Sequence, residues 1–118
     1  MKVLVFGLEN EDEILARLRK EFPSVGFKKC RIRDNLEEEG RDVIALDSVA
    51  GIDKVILMDE LGSVSPKVLE GSETLVTLRI LLSIGSLDSA KVIAVPISEP
   101  PESAFRQIRS ILPDLMAP

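Results

Sequence analysis

Histidine is absent from the 118 residues of this chain, and only one cysteine, Cys30, is present. The lack of histidine excludes Ser-His-Asp and Cys-His catalysis and every metal site with an imidazole ligand. A single cysteine excludes an intramolecular disulfide and a multi-cysteine metal site. Since no histidine can activate it, we interpret Cys30 as a structural thiol in a strand. Any catalysis must use Asp, Glu, Lys, Arg, Ser or Cys, or a metal held by carboxylates.

Targeting, membrane and nucleic-acid signals are also missing. The first apolar run, residues 3–6, is too short for a signal peptide. The longest, residues 75–84, is interrupted by Thr77, Arg79 and Ser83, so it predicts a core helix and not a membrane span. The net charge is −5 and the basic residues form no patch. We therefore expect a cytoplasmic protein without nucleic-acid or membrane partners.

Nucleotide-binding loops are absent as well. The turn after the first apolar run reads Gly7-Leu8-Glu9-Asn10, which lacks the G-x-G-x-x-G pattern of dinucleotide-binding proteins. A P-loop is likewise missing. The sequence gives no support for nucleotide binding.

What is present is a pattern of alternating strands and helices, with 45% hydrophobic and 30% charged residues. The length is typical of one domain, so residues 1–118 are expected to fold as a single α/β unit. Apolar runs predict five strands, at residues 2–7, 25–32, 42–47, 54–58 and 91–95. Strands that alternate with helices favour a three-layer α/β/α fold with a mainly parallel, twisted sheet of about five strands.

Helices are predicted between these strands. Asn10 and Glu13 form a capping-box pattern at the start of the first helix, which Pro23 ends. Amphipathic helices are predicted at residues 73–84 and at residues 102–112, the latter ended by Pro113. Residues 34–40 predict a short acidic helix or turn, and residues 62–71 an irregular segment broken by Ser65-Pro66.

Acidic residues follow the predicted strands. In parallel sheets ligands bind outside the carboxyl ends of the strands, where acids could hold a cation or transfer protons. The acids expected there are Glu9, Asp12, Asp47, Asp59, Glu60 and Glu99. A single acid at such a position can equally be a helix cap or a solvated loop charge. Asp47 stands out because it ends an otherwise apolar strand and enters a turn of small residues.

Five segments of the chain, taken in order, carry a resemblance to a known family. They are an opening strand and glycine turn (residues 2–7), an apolar strand ending in an acid (42–49), a short continuation (51–55), a leucine-rich helix ending in glycine (75–85), and a strand with a proline loop (91–100). In these segments the chain resembles the hydrogenase maturation endopeptidases, which remove the C-terminal extension of a [NiFe]-hydrogenase large subunit after nickel insertion, and residues 51–55 are similar to those of compact archaeal-looking members. Their order and spacing carry the resemblance.

The resemblance implies a phosphorylase/hydrolase-like fold and a peptidase whose partner is the hydrogenase large-subunit precursor. In that family a first-loop acid, an acid after the middle strand and a histidine before the leucine-rich helix gather around the nickel of the substrate, so no cofactor of the protein's own is implied. By resemblance, Asp47 is the middle acid and the catalytic residue. Glu9 or Asp12 is the first-loop acid, and Glu70 or Glu73 stands nearest the position of the missing histidine.

Two other interpretations remain open. The missing histidine and the shortened first loop favour a non-catalytic interaction or assembly module that kept the fold and lost the metal-reading site. A third interpretation is a small signalling protein of receiver type. That class has an acidic pair after its first strand, where this chain has Gly7-Leu8-Glu9.

Overall fold

The computed structural model describes residues 1–32 and 34–117. The five strands in these residues are Lys2–Phe6 (β1), Gly26–Cys30 (β2), Asp42–Val49 (β3), Ile56–Met58 (β4) and Ser89–Pro96 (β5). The four α-helices in the same residues are Glu11–Glu21 (α1), Pro66–Glu70 (α2), Glu73–Ser83 (α3) and Pro101–Met116 (α4). Short 3-10 turns lie at Leu36–Glu39 and Leu61–Ser63.

The strands form one sheet in the order β2-β1-β3-β5-β4. β4 is antiparallel to its neighbour β5, and the other neighbouring strands are parallel. β1, β3 and β5 are rich in apolar residues because strands covered on both faces must be apolar on both sides. The predicted α/β architecture with a mainly parallel sheet of about five strands is confirmed.

Helices cover both faces of the sheet, and each face has its own apolar core. Val5, Leu46 and Ile93 pack against α1 and α4 on one face. Ala45 and Val92 point to the opposite face and pack against α3. The side chains of successive strand residues alternate between the two faces, as the pleat of a β-strand requires. The sheet is therefore the middle of three layers.

The start of α1 differs from the predicted capping box. Asn10 has a left-handed backbone, with φ 56° and ψ 33°, and its side chain makes no capping hydrogen bond. Its carbonyl still accepts the Ile14 N–H at 3.1 Å. The capping prediction is wrong because the chain enters α1 through a tight left-handed turn, a conformation that asparagine tolerates better than most residues.

The end of α4 also differs from the prediction. Pro113 lies inside the helix, which continues to Met116, and the Ala117 N–H donates to the Pro113 carbonyl at 3.1 Å. Proline removes one helical hydrogen bond. The last turn is held nevertheless, because Leu112 is fully buried and Leu115 packs against the core shared with α1.

The segment expected to be irregular, residues 62–71, contains α2. Ser65 caps this helix, since its hydroxyl accepts the Val68 N–H at 3.4 Å, and Pro66 occupies the first turn. A serine followed by proline is a common way to begin a helix, because proline has no N–H that would be left unpaired there. The Ser-Pro pair starts a helix here and does not break one.

Candidate functional site

The connections after β1 and β3 leave the sheet on opposite sides. α1 follows β1 on one face, and the chain after β3 leads through β4 and α2 to α3 on the other face. β1 and β3 are neighbours in the sheet. Such a topological switch point opens a crevice at the carboxyl ends of the strands, where ligands bind in open α/β sheets. Gly7 and Asp47 lie at this point, since Asp47 pairs with Phe6.

Asp47 lies within β3 and not at its end. The strand continues for two residues to Val49, and Asp47 also pairs with Ala94 of β5. The prediction that Asp47 ends the strand is therefore wrong, because pairing with β5 extends β3 through Ser48 and Val49. Asp47 shares its face of the strand with Ala45 and Val49, which belong to the core under α3, and it is 6% exposed.

The start of α3 supplies the polar partner of this buried carboxylate. The Ser72 hydroxyl donates to Oδ2 of Asp47 at 3.3 Å and accepts the Leu75 N–H at 3.1 Å. Ser72 is thus both the N-cap of α3 and a hydrogen-bond donor to Asp47. The N-terminus of a helix carries a partial positive charge, which favours a carboxylate placed beside it.

The pKa of Asp47 is raised from its ordinary 3.8 to about 6. Burial is the dominant cause, because removal from water disfavours the charged form. Hydrogen bonding from the side chains of Ser72 and Thr74 and from the Ser48 backbone lowers the pKa and offsets part of this effect. A carboxyl group that titrates near pH 6 can take up and release a proton under physiological conditions.

Gly7 forms the surface above the other carboxylate oxygen. A Cβ atom at Gly7 would lie 3.7 Å from Oδ1 of Asp47, and the backbone at Gly7 has φ +52°, which glycine adopts without steric cost. Gly7 is exposed. Oδ2 is therefore held by Ser72 at the start of α3, while Oδ1 lies beside Gly7, an exposed residue without a side chain.

Glu9 lies near this point, but its carboxylate is used elsewhere. Its backbone N–H donates to the Ser48 hydroxyl at 3.0 Å, and its Oε2 accepts the Ser98 N–H at 2.9 Å. Ser98, in the loop between β5 and α4, has a positive φ of 69°. Glu9 therefore joins the loop after β1 to the loop after β5. Its contact with Ser48 places this connection next to Asp47 in β3.

Asp12 faces a different part of the carboxyl edge. It forms an ion pair with Lys29 of β2, whose ammonium also lies 3.5 Å from Glu11. The hydrogen bond from Lys29 lowers the pKa of Asp12. Both residues line an open cleft of about 950 Å³ at the ends of β1 and β2, which also includes Cys30.

Cys30 lies in β2, as predicted, and is half-buried. Burial is the main cause that raises the pKa of its thiol. A thiol with a raised pKa is a poor nucleophile at neutral pH, in agreement with the structural interpretation of Cys30.

Glu70 and Glu73 flank the start of α3 and are both exposed. The residues of this segment that bear on Asp47 are Ser72 and Thr74. Within residues 1–32 and 34–117, no three Cys, Asp or Glu side chains are grouped so that they could hold a metal ion. The structure thus leaves Asp47 as the one predicted site residue in the crevice with a buried carboxylate.

The acids after the last two strands lie in different places. β4 runs antiparallel, so Asp59 and Glu60 lie at the opposite edge of the sheet, and their expected position at the shared edge is wrong. Glu99 lies at the expected edge. Its Oε1 accepts hydrogen bonds from Ser103 at 2.7 Å and from Gln107 at 3.0 Å, which ties it to the start of α4.

The sequence interpretation missed Ser72, Thr74 and Ser98. Ser72 has a local signal, since a serine directly before an apolar-periodic run predicts an N-cap. Its contact with Asp47 has no such signal, because the two residues are 25 positions apart. Ser98 gives no signal that distinguishes it from an ordinary loop serine.

Comparison of the chain with models of known protein families, with curated proteins and with solved structures gives no match. In the part of the chain that the structure describes, no helix is both long and apolar enough to cross a membrane. What the fold and the site define is a mixed α/β protein with a buried carboxyl group of raised pKa at its topological switch point.

Proposed function

We propose that this protein is a peptidase of [NiFe]-hydrogenase maturation that cleaves the C-terminal extension of the large-subunit precursor. The observation that carries the proposal is the buried Asp47, whose pKa of about 6 suits acid–base chemistry at the switch point of the sheet. The proposed phosphorylase/hydrolase-like fold is compatible with a five-stranded, mostly parallel sheet covered by helices on both faces.

The resemblance to this family is a second support for the proposal. Five segments between residues 2 and 100 occur in the family's order, and they include β1, β3, α3 and β5. The middle acid of the family's site falls on Asp47. The nickel belongs to the substrate, so the protein itself would contribute recognition and a proton-transfer group.

In this reaction Asp47 acts through its Oδ1, the oxygen beneath Gly7. The ionised carboxylate removes a proton from water as the hydroxyl adds to the scissile carbonyl carbon. Asp47 then returns the proton to the leaving nitrogen as the C–N bond breaks. The hydrogen bond from Ser72 keeps Oδ2 in place during both steps.

Processing of a precursor tests the role of Asp47. A [NiFe]-hydrogenase large-subunit precursor is co-produced with the wild-type protein, with Asp47→Asn or with Asp42→Asn, and the intact mass of the large subunit is measured. Asp42 is the matched control because it is an exposed acid at the opposite end of the same strand. We expect Asp47→Asn to abolish loss of the extension, since an amide cannot accept the proton, and Asp42→Asn to preserve it.

Unchanged processing by Asp47→Asn would contradict the assignment of Asp47. A precursor that retains its extension with the folded wild-type protein would contradict the proposed activity itself. Folding of each variant is checked by circular dichroism, so that unfolding is not mistaken for a loss of catalytic activity.

A second candidate function is a non-catalytic interaction or assembly module on the same fold. The observation that favours it is that the first-loop acids already have partners, Glu9 with the Ser98 N–H and Asp12 with Lys29. Calorimetric titration with Ni²⁺ and Cd²⁺ separates the two candidates. One weak site lost in Asp47→Asn supports the peptidase, whereas no heat of binding supports the module.

A further inference from the structure

A groove lies between the edge strand β4 and helix α2. This β4 groove has a volume of about 340 Å³. Its apolar walls include Ile52, Ile56, Val64 and Val68, and Asp59 and Glu60 also line it. The four apolar side chains are half-buried and continue the core beneath α3 outward to the surface.

The backbone of β4 is open on the side away from β5. β4 is the last strand in the sheet order, and within the described residues the backbone hydrogen bonds of Ile56–Met58 are those to β5. An edge strand of this kind presents N–H and C=O groups to which another extended chain can pair. The shape of the open surface therefore favours an occupant with an extended backbone.

The charge of the groove favours a basic occupant. Asp59 and Glu60 are both exposed, and among the residues that the structure describes no lysine or arginine lines the groove. Glu60 accepts a hydrogen bond from the Ser63 hydroxyl at 3.4 Å. In the described part of the chain, neither acid is in an ion pair. A cationic side chain at this end would thus meet two carboxylates.

The chain from α2 to the start of α3 connects the groove with the Asp47 crevice. Val68 of α2 lines the groove and lies against Gly51, where a Cβ atom would be 3.4 Å from the Val68 side chain. Four residues further along, Ser72 donates its hydrogen bond to Asp47. The groove thus extends from the acidic end beyond β4 toward the edge of the sheet that carries Asp47.

We propose that the β4 groove binds an extended segment of a protein partner as an additional strand. Apolar side chains at alternate positions of the segment pack against Ile56 and Val68, and a lysine or arginine lies at the end formed by Asp59 and Glu60. The inference rests on the proposed function only in identifying the partner as the protein substrate of Asp47. It specifies how that substrate is held.

Two labelled peptides test the groove. One has two lysines followed by alternating valine and serine, and its twin has two glutamates in place of the lysines. Fluorescence anisotropy is measured with protein carrying Asp47→Asn, so that peptide cleavage does not affect the result. We expect the lysine peptide to bind about tenfold more tightly than its twin at low salt, with a smaller difference at high salt, since exposed charges are screened.

Charge reversal supplies the matched control. The double variant Asp59→Lys with Glu60→Lys should reverse the preference and bind the glutamate peptide. The double variant Glu37→Lys with Glu38→Lys changes the net charge equally on the exposed acidic turn at Leu36–Glu39. It should retain the preference for lysine, because these residues do not line the groove.

Several results would overturn the proposal. They are equal binding of both peptides, absence of binding, a reversal caused by the Glu37 and Glu38 variant, and a dimer in sedimentation velocity whose formation excludes the peptide. The last result would assign the groove to a second copy of the chain. If the precursor is processed but neither peptide binds, the proposed role of the groove is contradicted and the proposed function is retained. If the lysine peptide binds as expected but the precursor is not processed, the proposed function is contradicted and the role of the groove in binding an extended segment is retained.

Discussion

At the scale of the residue, Asp47 is the group whose environment departs most from that of a surface acid. A carboxylate with 6% of its surface exposed is costly unless it is paired or hydrogen-bonded. The Ser72 hydroxyl donates a hydrogen bond to one of its oxygens, and in the described part of the chain no positively charged side chain contributes to its pKa. The sheet thus contains an acid that lowers the stability of the folded protein at neutral pH. Such a loss of stability is common at functional sites.

Stability measured against pH tests this description of Asp47. Its folded pKa of about 6 lies above the ordinary 3.8, so between these values the folded protein holds a proton that the unfolded chain has released. The contribution of this group to the free energy of unfolding is therefore greatest below about pH 4. It decreases as the pH rises to about 6, by on the order of 2–3 kcal/mol. Asp47→Asn removes this dependence. The free energy of unfolding of the variant should therefore increase relative to that of the wild type as the pH rises.

Urea unfolding of the wild type and Asp47→Asn at pH 4.5 and pH 8 measures the effect. Asp42→Asn, at the exposed start of the same strand, is the control and should follow the wild type at both pH values. A constant difference in unfolding free energy between Asp47→Asn and the wild type across this range would contradict the raised pKa.

At the scale of the element, the N-terminus of α3 links a helix cap to the candidate site. Ser72 stabilises the helix through the Leu75 N–H and positions Asp47 through its own hydroxyl proton. Loss of this serine should therefore have two separate effects. Substitution of a serine N-cap costs about 1 kcal/mol of stability, and loss of a donor to a carboxylate raises its pKa.

Ser72→Ala tests both effects, and Ser65→Ala is its matched control. Ser65 caps α2 in the same way, through the Val68 N–H, and does not contribute to the pKa of Asp47. We expect both variants to unfold at lower urea concentration and only Ser72→Ala to raise the pKa of Asp47 above about 6, as followed by carbon-13 NMR of the carboxyl group. An equal pKa in the two variants would show that Ser72 has no role at Asp47.

The elements were largely predictable where one face or both faces of a segment are apolar. The runs containing Val5, Leu46 and Ile93 were predicted as strands, since their burial on both sides requires continuous apolar sequence. The direction of β4 was not predictable in this way, because side-chain alternation is the same in parallel and antiparallel strands. The continuation of α4 past Pro113 likewise depends on Leu112 and Leu115 packing against distant residues.

The candidate site was predictable only in part. An acid in an apolar strand is visible in the sequence, and this identified Asp47. Whether other acids join it depends on which cations and amides lie closer to them in the fold. Asp12 meets Lys29 because β2 pairs with β1, and Glu9 meets Ser98 because two loops converge. Neither pairing has a local sequence signal.

At the scale of the whole molecule, Glu9 holds together two parts of the chain that are 89 positions apart. Its carboxylate accepts the N–H of Ser98, a residue in the left-handed region, where non-glycine residues are uncommon. The contact crosses the carboxyl edge of the sheet beside the switch point. It thereby sets the position of the loop between β5 and α4 relative to the loop after β1.

Hydrogen exchange of the Ser98 amide tests this connection. Glu9→Ala should increase the exchange rate by about tenfold, the effect of losing one hydrogen bond to a charged acceptor. Asp12→Ala, which removes the neighbouring acid paired with Lys29, should leave the Ser98 amide unchanged. Equal exchange rates in Glu9→Ala and the wild type would exclude the connection.

The pairing of β3 with β5 has a consequence for how the chain acquires its structure. The two strands pair along their full length, yet Asp42 and its partner Ser89 are separated by 47 positions. During synthesis, the strand that carries Asp47 therefore leaves the ribosome well before its partner strand exists. Until then only its side toward β1 can be paired, and contacts between distant positions form slowly. The sheet around Asp47 is thus complete only when β5 lies between β3 and β4.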